Sequence, residues 1–170
     1  MQSASEARQR PGVAIVEQKM FLIGGRFGDD SYLNSCEVMK LKEWGEEEVW
    51  MQKGTVRAMP TARYDFGVAV VGKKIFTFGG WAGHDNALNC VEVLDTKRNT
   101  WEKLPPMPTA RQGMGVAVID NRFIWTFGGA SGSEVDVIEV FDVVKNEWTI
   151  PAAKMQTIWY GAKAVTIDHR

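Results

Sequence analysis

One short pattern occurs three times in this chain, at intervals of about fifty residues. A run of β-branched and aromatic residues ends in a glycine pair in the segments KMFLIGG, KIFTFGG and RFIWTFGG. The pairs begin at Gly24, Gly79 and Gly128, which lie 55 and 49 residues apart. Because a fixed period of this length is typical of an array of similar structural units, the chain is predicted to be built from repeats.

Other residues recur in register with the glycine pairs. An Arg precedes the first glycine by 16 or 17 residues, and a Glu follows the second glycine by 10 or 12. A Trp follows that Glu by nine residues in two units and by thirteen in the first unit. The recurring residues are Gly24, Gly25, Gly79, Gly80, Gly128 and Gly129; Arg8, Arg63 and Arg111; Glu37, Glu92 and Glu139; and Trp50, Trp101 and Trp148. Since a repeating sheet needs the same joint in every unit, we interpret them as scaffold.

The second unit shows the secondary structure of a repeat most clearly. Apolar residues with a period near two predict strands at residues 67–71, 74–78, 90–94 and 100–104. Polar segments separate these strands, and Pro105, Pro106 and Pro108 prevent further pairing where the chain leaves the sheet. Each unit is therefore predicted to be a four-stranded antiparallel sheet, and no helix is expected.

This combination of a fifty-residue period, Gly-Gly, Glu, Trp and a connecting Met-Pro-Thr-Ala-Arg resembles the kelch-repeat family of β-propellers. The resemblance covers roughly residues 7–167 and is closest to the substrate-adaptor type. It implies an all-β fold: a partial kelch propeller of three four-stranded antiparallel blades plus the first strand of a fourth. The expected bounds are about 7–56 for blade 1, 57–105 for blade 2, 106–153 for blade 3 and 154–170 for the partial blade 4.

Each kind of repeated residue has a physical role in such an array. The glycines allow positive φ angles or a close approach of the neighbouring blade. The Trp side chains are large enough to fill the wedge between blades, and stacking on a sugar or base is the alternative. We expect each Arg to be buried against the recurring Glu or against backbone carbonyls, because an unpaired buried charge costs several kcal/mol.

The segments after the glycine pairs differ from unit to unit, reading RFGDDSY, WAGHDN and ASGSE. In an up-and-down blade they emerge at the same end of the sheet as the residues that follow the recurring Arg. The kelch resemblance implies that a protein partner docks on this loop face, whose side chains suit binding hot spots. Solvated loops without a partner are the alternative. The predicted partner-binding residues are Arg26, Phe27, Tyr64, Trp81, His84, Gln112 and Trp159.

Composition argues against several classes of function. Twenty Lys and Arg against twenty-one Asp and Glu, without a basic block, give no footprint for nucleic acid. The apolar runs are far shorter than the roughly 18 residues of a membrane-spanning helix. Two His are too few for a histidine-rich metal site or a catalytic triad, so we expect no metal, no cofactor and no enzyme activity. Two Cys and no apolar N-terminal signal favour the cytoplasm.

The expected function is therefore non-catalytic protein recognition. The resemblance implies a role like that of the substrate-recognition propellers of cullin-based ubiquitin ligase adaptors. An actin-binding or cytoskeletal kelch scaffold is the alternative, and a fragment of a kelch-like enzyme or sugar-binding propeller is a second one.

Three blades and one strand fall short of a closed ring, since propellers have typically 4–8 blades. The chain is then a segment of a longer protein, one half of a six-bladed ring completed by a second copy, or a truncated product of marginal stability. The sequence favours the first arrangement. A homodimer that completes a six-bladed ring is expected if the chain is not a fragment.

Overall fold

A computed structural model describes residues 6–29, 31–42, 49–52, 54–83, 87–157 and 161. Within these ranges the regular secondary structure consists entirely of β-strands. The all-β prediction is therefore confirmed. Among the described residues, no helix has the length and apolar character needed to cross a membrane.

The first two sheets each have four antiparallel strands in sequence order. The first sheet contains β1 (Gly12–Val16), β2 (Lys19–Phe27), β3 (Ser31–Lys40) and β4 (Val49–Trp50). The second contains β5 (Gly67–Val71), β6 (Lys74–Gly80), β7 (Leu88–Asp95) and β8 (Thr100–Leu104). These four strands include all four segments predicted for the type unit.

The third sheet has the same four-stranded plan with one addition. Its strands are β9 (Gly115–Ile119), β10 (Phe123–Phe127), β13 (Ile138–Asp142) and β14 (Glu147–Thr149). A two-stranded ribbon of β11 (Ala130–Ser131) and β12 (Ser133–Glu134) lies in the connection between β10 and β13. We refer to the three sheets as blades 1, 2 and 3.

The blades stand side by side around a common axis. The first strands of successive blades are neighbours, since β5 contacts both β1 and β9. One apolar cluster, including Phe21 and Ile75, fills the space between blades 1 and 2. A second cluster, including Phe76 and Ile124, fills the space between blades 2 and 3. Two large apolar cores between stacked sheets are the architecture of a partial propeller.

The predicted first strand of a fourth blade lies outside the described residues, apart from Gly161. The N–H of Gly161 donates to the carbonyl of Gly113 at 2.9 Å. Gly113 in turn donates to Asp65 at 2.9 Å, and Asp65 donates to Arg10 at 3.3 Å. All four residues have positive φ, from 47° at Arg10 to 75° at Gly161. This ladder passes from unit to unit, so Gly161 occupies the position in the fourth unit that Gly113 occupies in the third.

Candidate functional site

The recurring Arg and Glu of each unit form an ion pair inside its blade. The pairs are Arg8 with Glu37, Arg63 with Glu92, and Arg111 with Glu139. In blade 2 both side chains are fully buried, and a guanidinium nitrogen lies 2.9 Å from the carboxylate. Such a pair needs further hydrogen bonds to offset the loss of hydration.

Neighbouring side chains supply those bonds in blade 2. The Arg63 guanidinium donates to Thr77 Oγ1 at 2.6 Å and to Cys90 Sγ at 2.7 Å, and Glu92 accepts from Thr61 Oγ1 at 2.7 Å. Burial raises the pKa of the Cys90 thiol, and the nearby positive charge of Arg63 opposes that rise. The pair and its partners tie the connecting segment, β6 and β7 together.

The glycine pair of one blade meets the recurring Arg of the next. The N–H of Gly25 donates to the carbonyl of Arg63 at 2.9 Å, and that of Gly80 donates to the carbonyl of Arg111 at 2.9 Å. Gly24 has a φ of 54°, and a Cβ at this position would lie 2.8 Å from the Arg63 carbonyl oxygen. The pair is glycine because the backbone turns through the left-handed region while the next blade closes against it. Arg63 and Arg111 thus each join two blades through the backbone carbonyl and the side chain.

Two of the recurring Trp residues pack toward the preceding blade. Trp101 lies against the cluster between blades 1 and 2, and its Nε1 donates to the Arg57 carbonyl at 2.9 Å. Trp148 lies against the cluster between blades 2 and 3, with its ring edge-on to Phe78 at 6.0 Å. Trp50 lies at the outer edge of blade 1, on the face turned away from blade 2.

At the loop end, each blade closes with one backbone bridge. The residue after the recurring Arg pairs with the residue after the glycine pair, so Gln9 pairs with Arg26, Tyr64 with Trp81, and Gln112 with Ala130. The residue after the glycine pair differs in every unit, whereas the residue after the recurring Arg is Gln in two units and Tyr in blade 2. The scaffold therefore holds six side chains of varied chemistry at one end of the sheets.

Three of the side chains at this end, Arg26, Tyr32 and Tyr64, contact one another across blades 1 and 2, and Trp81 is paired with Tyr64 through the backbone. We call these four residues the aromatic rim. The rings of Tyr32 and Tyr64 are stacked, with centroids 5.8 Å apart and planes 15° apart. The Arg26 guanidinium lies 5.0 Å from the centre of the Tyr64 ring, and its Nε donates to Gln9 Oε1 at 3.2 Å. Stacking and the cation–π contact hold the side chains of Arg26, Tyr32 and Tyr64 in place before any partner arrives.

Three of the predicted partner-binding residues belong to the aromatic rim, and Phe27 and Gln112 lie at the same end of the sheets. Phe27 ends β2 with 60% of its surface exposed. Gln112 lies in the next bridge and is half-buried, with its side-chain oxygen shielded from solvent. The remaining two predicted residues, His84 and Trp159, lie outside the described residues.

Sequence reasoning missed Tyr32 and the polar pair beside the rim. Tyr32 ends the first variable segment, and its position in that segment was the available signal. Arg10 and Asp65 form an ion pair of 3.1 Å between blades 1 and 2, with the Arg10 side chain 53% exposed. Both residues have positive φ and belong to the backbone ladder that ends at Gly161. The residue types did not reveal this shared position, because Arg10 and Asp65 stand where the later units have glycine.

The described part of the chain offers no obvious metal centre. No three His, Cys, Asp or Glu side chains within it are grouped closely enough to hold an ion. Cys36 is buried between blades 1 and 2, and burial raises the pKa of its thiol to about 12. Its chemistry is that of a packed apolar side chain.

Comparison with known proteins agrees with this architecture. The model of the KLHDC2/KLHL20/DRC7 kelch-repeats domain matches residues 2–166. An F-box/kelch-repeat protein of Arabidopsis thaliana is 33% identical over 104 residues, which is 60% of this chain and 27% of that protein.

Two further relatives carry different names. Acyl-CoA-binding domain-containing protein 4 of Arabidopsis thaliana is 30% identical over 141 residues, covering 80% of this chain and 20% of that protein. The Rho GTPase-activating protein gacHH of Dictyostelium discoideum is 29% identical over 106 residues, covering 59% of this chain and 7% of that protein. The chain thus spans about a quarter or less of these relatives. With a family model matching nearly all of its length, the chain belongs to the kelch-repeat family, whose repeats build protein–protein interaction modules.

Proposed function

We propose that this chain recognises a protein partner through the aromatic rim and the adjoining Phe27, without catalysing a reaction. The observation that carries this proposal is the contrast between repeated and variable positions. Arg, Glu and the glycine pairs are used in joints inside and between blades, whereas the variable residues stand together at one end. Chemistry that changes from unit to unit at a fixed place in the scaffold is suited to selecting one partner.

The composition of the rim supports a protein as the ligand. Tyr, Trp and Arg are the residue types enriched in binding hot spots, because they bury a large area and keep polar groups for hydrogen bonds. The stacked Tyr32 and Tyr64 lose little conformational freedom on binding, since their rings are already held against each other. The stacked rings and the exposed Phe27, at the same end of blade 1, give a docking peptide or domain several apolar anchors.

The test compares partner capture by variants at the two ends of the blades. Tyr64→Ala with Trp81→Ala removes two rings of the aromatic rim. Lys97→Ala with Val144→Ala alters two exposed turn residues at the opposite end and serves as the matched control. We expect the first pair to lower recovery of partners at least tenfold and the control pair to leave it unchanged, because hot-spot truncations cost about 2 kcal/mol or more. Equal recovery by both pairs would refute the assignment, provided that both remain folded.

The finer part of the proposal is that the partner is a substrate of a cullin-based ubiquitin ligase. It is supported by the similarity to F-box/kelch-repeat proteins, since an F-box is a ligase-docking segment. The half-life of a captured partner, measured with and without a proteasome inhibitor, tests this part separately. A longer half-life with the inhibitor is expected. An unchanged half-life would contradict the ligase role. Binding at the aromatic rim would still be tested by the capture experiment alone.

We infer a cytoplasmic setting for the same function. Its support is the state of Cys36 and Cys90, which are both free thiols. A reducing compartment maintains cysteines in this form.

A further inference from the structure

The third residue after the glycine pair is a further glycine in all three units. These residues are Gly28, Gly83 and Gly132, and they have positive φ angles of 65°, 79° and 73°. The variable loop of each blade therefore passes through the left-handed region at the same point. Since the glycine is common to the three loops, the surroundings of this one position can be compared directly between blades.

These surroundings differ in blade 2. At Gly28 and Gly132 a Cβ would have no atom of the described residues within 4 Å, apart from its own chain neighbours. A Cβ at Gly83 would lie 2.7 Å from Cζ and 2.8 Å from the hydroxyl oxygen of Tyr32, which is closer than van der Waals contact allows. The loop that follows Trp81 in blade 2 thus lies directly against the ring of a tyrosine from blade 1.

The ring of Tyr32 is also held by its stack on Tyr64. Tyr32 lies opposite Arg26 in the pairing of β2 with β3, so both side chains leave blade 1 on the same face. Tyr64 contacts both of them, with the Tyr32 ring at 5.8 Å and the Arg26 guanidinium at 5.0 Å from its centre. Tyr64 is itself joined to Trp81 by two backbone hydrogen bonds of 3.0 and 2.9 Å. The Tyr32 ring therefore contacts blade 2 at two connected places, Tyr64 and Gly83.

We propose that Gly83 positions Tyr32 for partner binding, an inference that rests on the proposed function of the aromatic rim. A side chain at position 83 would occupy the space of the hydroxyl end of the ring. The ring would then move, because it is the far end of a rotatable side chain and yields more easily than the backbone. This movement would break the stack on Tyr64, and the rim would lose the arrangement that it presents to a partner. The φ of the loop favours glycine in every blade, and in blade 2 the missing side chain also sets the position of an aromatic ring.

The first test follows the ring in the free protein. Gly132→Ala is the matched control for Gly83→Ala, because both place alanine at a similar left-handed φ and the backbone cost is common to them. Ring resonances of Tyr32 and Tyr64 are observed by NMR with ¹³C-labelled tyrosine and are assigned with the two Tyr→Phe variants. Both rings should change chemical shift in Gly83→Ala and keep it in Gly132→Ala. Unchanged shifts in Gly83→Ala would overturn the proposal, because the ring would not have moved.

The second test measures recovery of the partners that the wild-type chain captures. Gly83→Ala should lower this recovery at least about fivefold, Tyr32→Ala should lower it at least as much, and Gly132→Ala should leave it unchanged. In a Tyr32→Ala background, adding Gly83→Ala should lower recovery no further, since no ring remains to be displaced. A purely structural role of Gly83 would still lower it there. A further loss in that background, equal losses from the two glycine variants, or full recovery by Gly83→Ala or Tyr32→Ala would contradict the proposal.

The rim variant Tyr64→Ala with Trp81→Ala, measured in the same capture experiment, separates this inference from the proposed function. If that pair lowers recovery and Gly83→Ala does not, the rim binds the partner without needing Gly83, and this inference alone fails. If neither lowers recovery, the proposed function fails and this inference fails with it.

Discussion

Replacing Arg63 by Met is expected to lower the free energy of unfolding by about 3–5 kcal/mol. The guanidinium lies 2.9 Å from the Glu92 carboxylate, and neither side chain has exposed surface. At an effective dielectric constant of about 20, their attraction is about 6 kcal/mol. The cost of taking both groups out of water offsets much of this attraction in the native protein. Once Arg63 is gone, Glu92 remains buried without its cation, and the penalty appears in full.

The assay is urea unfolding of the wild type and three variants at neutral pH. Arg10→Met is the matched control, because Arg10 and Asp65 also form an ion pair between Arg and a carboxylate, but at the surface. Its cost is expected to be about 1 kcal/mol or less. Arg63→Met combined with Glu92→Leu should be more stable than Arg63→Met alone, because no unpaired charge remains. If Arg63→Met lowers the free energy of unfolding by no more than Arg10→Met does, this reasoning is refuted.

Two further changes test a blade joint and a turn. Gly24→Ala should lower the free energy of unfolding by roughly 2 kcal/mol more than Gly72→Ala does. Both glycines have φ near 55°, but only a Cβ at position 24 would meet the Arg63 carbonyl. Equal losses of stability in urea unfolding would contradict this expectation. The Arg122 guanidinium, which donates two hydrogen bonds to Asp142, holds the pKa of that carboxyl well below its usual range. The Asp142 carboxylate therefore contributes stability above about pH 4, and this contribution is lost as the pH falls toward the lowered folded pKa. Asp142→Asn should be less stable than the wild type at pH 7, with a difference that narrows below pH 4, whereas a constant difference across pH would count against the pairing.

The strands and their order could be predicted because the pattern repeats. Each unit alternates apolar and polar residues with a period near two, which predicts strands. The same spacing of Arg, Gly-Gly, Glu and Trp occurs in three units, which is stronger evidence for a repeat than any single motif. The type unit illustrates this, since the strand predicted at residues 67–71 is β5 and that at 100–104 is β8. Local periodicity was sufficient because sequential strands of a blade are also spatial neighbours.

The composition of the rim could be predicted in part. Arg26, Tyr64 and Trp81 stand next to repeated residues, so their common end of the sheet follows from topology. The stacking of Tyr32 on Tyr64 does not follow from the sequence, because it depends on the angle between two blades. The arrangement of the blades also decides which of the recurring Trp residues pack into a joint between two blades, although all three are half-buried. Trp101 and Trp148 have a preceding blade to pack against, whereas Trp50 stands on the open face of blade 1.

The claim that the variable end of the blades binds the partner can be tested by photo-cross-linking. A photoreactive phenylalanine analogue would replace Phe27 beside the aromatic rim or Val144 in the turn at the opposite end, two positions that are 60% and 72% exposed. The account predicts that the partner is cross-linked from position 27 and not from position 144. Cross-linking from position 144 with none from position 27 would contradict it.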